Sequence, residues 1–162
     1  IALALASERP RCRIIASDLS IKALGTACKN AGIHGLSERI HFLCGSGGRP
    51  FKESGRPFDL ILSNPPYIRT DEIDGLQPEI VRYEPRMALD GGSDGLDCIR
   101  EIICSAHRLL KPMGRLLLEI GYDQGPGVDK IAETVGCYET VAIEKDYSGH
   151  DRVALIRKKG YK

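Results

Sequence analysis

Short apolar runs alternate with helix-period segments along this chain, and no feature narrows its fold more. "RCRIIAS" (residues 11–17), "RIHFLC" (39–44), "FDLILS" (58–63) and "GRLLLEI" (114–120) read as strands. Between the first two, Ile21, Leu24, Cys28 and Ala31 recur at helical spacing until Gly32. Leu96, Ile99, Ile103, Ala106 and Leu110 line one face of a helix expected from about Ser93 until Pro112 ends it. Val128, Ile131, Ala132 and Val135 mark another, closed by Gly136. "ETVAIEK" and "DRVALIRK" read as two final strands, a hairpin around "DYSGH". This order predicts an α/β fold with a mainly parallel sheet and a C-terminal antiparallel hairpin. The 162 residues suit one domain with a sizeable core, residues 1–162, and show no internal repeat.

Composition removes several function classes. A formal net charge of +1 with no Trp gives no support for a strongly basic, aromatic-rich nucleic-acid binder. The basic tail Arg157, Lys158, Lys159 and Lys162 reads as a solvated charge run. No apolar run approaches the roughly 20 residues of a membrane span, and the opening "IALALA" lacks the charged start of a signal peptide. Six cysteines at 12, 28, 44, 98, 104 and 137 form no CxxC pair. They read as reduced, mostly buried thiols of a cytoplasmic protein. The four histidines are isolated, and no metal site is expected.

In open α/β sheets, ligands bind beyond the carboxyl ends of the strands. Three features fall there. Asp18, ending the first strand, has the chemistry to accept hydrogen bonds from both ribose hydroxyls, or to cap the following helix. "GSGG" (45–48) follows the second strand; its glycines let a flat ring approach the backbone, or simply make a flexible loop. No Lys-Ser/Thr follows, so it is not a phosphate loop. "NPPY" (64–67) follows the third. Asn-Pro and Pro-Pro are ordinary turn signals, but two prolines fix φ twice and stiffen the carbonyl directions. The Asn64 carboxamide oxygen and the Pro65 carbonyl can then each accept one N–H of an NH2 group, with the flat ring of Tyr67 beside it. Such a site positions a nitrogen nucleophile without a side chain of shifted pKa. The aperiodic, proline- and glycine-containing segment 69–92 that follows has the length of a functional loop.

"ILSNPPYI" resembles the NPPY motif of methyltransferases that use S-adenosylmethionine to methylate amino or amide nitrogens. "NPPYI" followed by RYEP-x-x-AL and GG-x-DGLD, within "EIVRYEPRMALDGGSDGLDCIREII" (79–103), is similar to the HemK-type protein-(glutamine-N5) methyltransferases of peptide chain release factors. "LLLEIGYDQG" and "DYSGHDRV" resemble that family's later blocks, and the resemblance covers nearly the whole chain. It implies a Rossmann-like class I S-adenosylmethionine-dependent fold and the release-factor GGQ glutamine as substrate. The product of the cofactor is S-adenosylhomocysteine, and neither membrane nor direct nucleic-acid partners are implied. Asp18 matches the ribose-binding acid, with Leu19 beside it. Ser46 and Gly47 lie at the adenine contact, where the family usually has Asp or Asn and a bulkier neighbour. Asn64 matches the residue touching both cofactor and substrate amide, and Pro65, Pro66 and Tyr67 the rest of the glutamine pocket. The catalytic set so implied is Asn64, Pro65 and Tyr67, with Glu119 a weak general-base candidate or a strand-end acid.

Two rival readings are an amino-methyltransferase of a nucleic-acid base and a non-catalytic truncated domain. The second arises because the family's glycine-rich cofactor loop and its strand precede "IALALA", outside this sequence. That strand lies between those ending at Ser17 and Ser63, so these two are expected not to be hydrogen-bonded neighbours. The chain is accordingly expected to be part of a longer one.

Overall fold

The computed structural model describes residues 1–46, 51 and 58–160. The chain divides into two compact units, Ile1–Lys52 and Glu53–Lys162.

In the first unit α1 (Ala2–Glu8) leads to β1 (Ile14–Asp18), then α2 (Ile21–Ile33) and β2 (Ile40–Cys44). β1 and β2 pair in parallel, Ile14 opposite Ile40 and Asp18 opposite Cys44. Ala6, Ile14, Ala31 and Ile40 form a small core. The Arg39 guanidinium closes the end of α1, donating to the carbonyls of Ala6 (2.7 Å) and Arg9 (2.8 Å). The expected apolar face of α2 is only partly covered: Ala31 is buried, whereas Ile21 is 76% exposed and Cys28 lies outside.

The second unit holds β3 (Phe58–Ser63), α3 (Pro78–Tyr83), α4 (Asp97–Leu109), β4 (Leu110–Glu119), α5 (Gly125–Val135), β5 (Tyr138–Lys145) and β6 (Asp151–Lys158). Its sheet runs in the order β3-β4-β6-β5. β3 and β4 are parallel, while β6 lies antiparallel to both β4 and β5. With β1-β2, the parallel pairs among the described residues therefore equal the antiparallel ones, so the fold is α/β with mixed pairing and the expected hairpin. β1 and β3 belong to different sheets, as expected.

Period-two alternation in β4 buries Leu116 and Leu118, opposite Ile156 and Ala154 of β6. The α4 stripe of Ile99, Ile103 and Ala106 and Val128 and Ala132 of α5 complete this core. Tyr138 joins it and donates from its hydroxyl to the Ile103 carbonyl at 2.6 Å. Asp97 in the first turn of α4 and His107 and Arg108 in its last suit the helix dipole. Gly136, at φ 71°, closes α5 as anticipated.

Four expectations need correction. Pro112 does not end α4: the helix stops at Leu109 and Pro112 lies inside β4. A residue before proline is pushed to extended backbone, so the chain has already left the helix. α4 starts at Asp97, four residues after Ser93, because residues 91–96 are committed to turns: Gly95 N–H donates to Gly92 and Asp97 N–H to the Gly91 carbonyl. The cysteines are unpaired but not buried; four are exposed and Cys98 and Cys137 half-buried. Cys104, for example, sits off the α4 apolar stripe. The tail is also more engaged than a solvated run. Arg157 pairs with Glu139, and Lys158 and Lys159 donate to the carbonyls of Leu110 and Gly136. Lys162 lies outside the described residues.

Candidate active site

β3 ends at Ser63, paired with Leu118 near the end of β4. The parallel register brings the segment after Ser63 beside the segment after Glu119. Asn64 is exposed, Pro65 buried, and Pro66 and Tyr67 half-buried. Among the described residues, the Asn64 carboxamide has no hydrogen-bond partner, and the Pro65 carbonyl accepts from no N–H. Both acceptors that the sequence singled out are therefore uncommitted.

Tyr67 is held at both ends. Its hydroxyl donates to Glu119 Oε1 at 3.1 Å. Burial, and then the adjoining Glu119 carboxylate, push its phenol above the ordinary range, so it stays a donor. Its carbonyl accepts from Gln124 Nε2 at 2.9 Å. Glu119 is thus a strand-end acid paired with Tyr67, and the structure gives it a positioning contact.

The GG-x-DGLD block braces this loop. Ile68 N–H donates to the Leu89 carbonyl at 3.0 Å, and Gly91 N–H to the Ile68 carbonyl at 2.8 Å, a one-rung parallel bridge. The Thr70 hydroxyl reaches Asp90 Oδ1 at 2.6 Å. That bond, then the Gly92 N–H, hold the Asp90 carboxyl below the usual carboxylate range. A Cβ at Gly91 would stand 2.9 Å from the Tyr67 Cα, and one at Gly95 2.5 Å from its carbonyl oxygen. Glycine here permits a close approach of two backbones. Arg69 joins the loop to Asp123 at 2.6 Å and to Glu72 at 3.0 Å.

In the first unit Asp18 is exposed at the carboxyl end of β1. Its Oδ1 accepts from Ser20 N–H at 2.7 Å, while Ser20 Oγ accepts from Ala23 N–H. The α2 cap is thus Ser20 and not Asp18. Among the described residues, the second Asp18 oxygen has no partner, which fits a ribose hydroxyl. Leu19 is 56% exposed next to it. Gly45 N–H donates to the Asp18 carbonyl at 3.0 Å, and Ser46 follows, half-buried. Gly47 and Gly48 lie outside the described residues.

Reasoning from the sequence missed Gln124. Among the described residues it is the buried polar side chain, 4% exposed. No periodicity marks it, and it hides in a turn-like "YDQGPG".

The comparisons with known proteins agree on one direction. A Moorella thermoacetica protein named release factor glutamine methyltransferase is 46% identical over 155 residues, 96% of this chain and 54% of its own length. One of the same name from Gloeobacter violaceus is 43% identical over the same shares. The chain spans about half the length of the curated relatives it matches. No family model matches it. Among solved structures, a methyltransferase from Pyrococcus furiosus superposes with a TM-score of 0.69 at 20% identity, over 98% of this chain and 68% of that one. TrmN from Thermus thermophilus gives 0.63 at 24%, over 98% of this chain and 40% of that one. At such identities the likeness speaks for the fold alone, that of the class I methyltransferases.

Proposed function

Because this chain belongs to the release factor glutamine methyltransferase family over the half that it spans, we propose that residues 1–162 act as a catalytic domain methylating the side-chain amide nitrogen of the GGQ glutamine in peptide chain release factors. The observation that carries this is the Asn64 carboxamide: exposed, unpartnered among the described residues, and standing on a loop stiffened by two prolines and braced behind by glycines. S-adenosylmethionine, when bound, supplies an electrophilic methyl group. Asp18 would hold its ribose through the free carboxylate oxygen, with Leu19 beside it and Ser46 contributing to the adenine contact; Gly47, proposed with Ser46, lies outside the described residues.

The residues of the loop do the positioning. An amide nitrogen is a poor nucleophile because its lone pair is delocalised into the carbonyl. The Asn64 oxygen and the Pro65 carbonyl accept its two N–H groups, fixing the direction of that lone pair and favouring positive charge developing on nitrogen. Pro66 keeps the loop rigid, and Tyr67, tethered by Glu119, walls the pocket. Glu119, already accepting from Tyr67, keeps a supporting role. A nucleic-acid substrate gains no support from the tail, whose Arg157, Lys158 and Lys159 are engaged in folding contacts. A cytoplasmic setting accompanies the substrate. No helix among the described residues is long and apolar enough to cross a membrane.

Mass spectrometry of a release factor after incubation with the enzyme and S-adenosylmethionine tests the proposal. The expected result is a gain of one methyl on the GGQ glutamine; an unmodified glutamine with methylated nucleic acid overturns it. For the cofactor half, Asp18→Ala is expected to weaken S-adenosylmethionine affinity about ten- to a hundredfold, the worth of a hydrogen bond to a charged group. Calorimetry reads this directly, and unchanged affinity would leave Asp18 as a turn residue bonded to Ser20.

A further inference from the structure

We propose that Gln124 is a positioning residue for methyl transfer, clamping the back of the NPPY loop so that the Asn64 and Pro65 acceptors keep their directions; the kinetic part of this rests on the methyltransferase reading above. Three partners surround its amide. Nε2 donates to the carbonyls of Tyr67 (2.9 Å) and Gly95 (3.2 Å), and Oε1 accepts from Gly121 N–H at 2.8 Å. Two carbonyls can only accept and one N–H can only donate, so a primary amide in this one orientation satisfies all three. A carboxylate lacks the donors, a hydroxyl has one, and an apolar group leaves two buried carbonyls and an N–H unsatisfied.

The three partners belong to three different segments. Tyr67 ends the NPPY loop, Gly95 belongs to the GG-x-DGLD turn, and Gly121 follows β4. Gln124 is itself the N-cap of α5, whose Val128 N–H donates to its carbonyl at 3.0 Å. One side chain therefore ties the loop that presents Asn64 to the core helix α5. The surrounding glycines make the space. A Cβ at Gly95 would meet Nε2 at 2.5 Å, and one at Gly121 the side-chain carbon Cδ at 3.1 Å. The clamp does not touch Asn64 and meets Tyr67 only at its backbone carbonyl, away from the ring that walls the pocket, so its effect on turnover passes through the loop backbone.

Displacement of a reacting group by an ångström costs on the order of a hundredfold in rate. In the natural full-length protein, Gln124→Met is expected to lower kcat about ten- to a hundredfold with KM for the release factor and affinity for the cofactor within about twofold. Gln124→Glu, with at most one proton for two carbonyls, should fall between parent and Met, and it decides alone if the Met variant does not fold. Val128→Ala, a cavity in the same helix, controls for general destabilisation and should leave kcat within about twofold. Either folded Gln124 variant retaining parental kcat overturns the positioning role, as does an equal fall in Val128→Ala. Amide hydrogen exchange separates this from the functional reading. The Ile68 and Gly91 amides should exchange at least about tenfold faster in the Gln124 variants, whatever the substrate is. Unchanged exchange overturns the clamp; absence of methylation by the parent, with faster exchange in the variants, overturns the substrate instead.

Discussion

Asn64→Ala is expected to abolish detectable methylation of the release-factor glutamine while leaving the protein folded. The side chain is exposed and bonded to nothing among the described residues, so its truncation leaves no buried group unsatisfied and opens no cavity. A surface change of this kind stays within about 0.5 kcal/mol in stability. Removing an acceptor that acts on the transition state costs on the order of 10² to 10³ in rate. The pair of outcomes matters more than either alone: an unshifted melting temperature with lost turnover assigns Asn64 to chemistry. Turnover near the parental value would remove Asn64 from the mechanism, and a large fall in stability would mean that the loop depends on it.

Gly95→Ala is expected to give the opposite pattern, a damaged fold and a damaged site together. Gly95 sits at φ 73°, and an added Cβ would come within 2.5 Å of both the Tyr67 carbonyl oxygen and Gln124 Nε2. Left-handed backbone costs a non-glycine residue about 1–2 kcal/mol, and overpacking adds about 1–3. Denaturant unfolding should therefore show a loss of about 2–5 kcal/mol, with turnover falling too as the Tyr67 carbonyl is pushed off its amide. Gly149→Ala is the matched control: it has φ 84° with nothing within 4 Å of the added carbon. Its cost should be the backbone part alone, about 1–2 kcal/mol. Equal losses at the two positions would show that Gly95 is present for its φ and not for the close approach.

These two variants also mark what a sequence can and cannot reveal. β3 and β6 were legible to the residue, at 58–63 and 151–158, because an apolar run and its breakers are both local signals. The α4 stripe was legible for the same reason: Ile99, Ile103 and Ala106 are buried as their spacing requires. Asn64 and Tyr67 stood out because a turn stiffened by two prolines falls at the carboxyl end of a strand, where open α/β sheets bind ligands. What stayed hidden depends on pairing between segments far apart in sequence. Gln124 meets Tyr67 across 57 positions, and no window around either residue carries that information. Gly91 and Gly95 looked like loop glycines and are close-approach points. Pro112 was misplaced because a proline signals that a helix has ended but not how many residues earlier, and α1 passed unnoticed since "IALALA" shows no period. The thiols were misjudged by residue type, when position relative to the apolar stripe decides.

The order β3-β4-β6-β5 has a consequence in time. β6 follows β5 in the chain, yet it pairs on both sides, with β4 and with β5. During synthesis, β4 therefore emerges from the ribosome with one edge open and waits for residues 151–158 before its ladder can close. Arg152 comes on that same strand, and its guanidinium then reaches the Ile120 carbonyl at 3.3 Å, just past Glu119. Non-local pairing of this kind is slow to form, and an open apolar edge invites association while it waits. The nascent chain thus carries its NPPY loop for some 80 residues of elongation before β6 closes the free edge of β4.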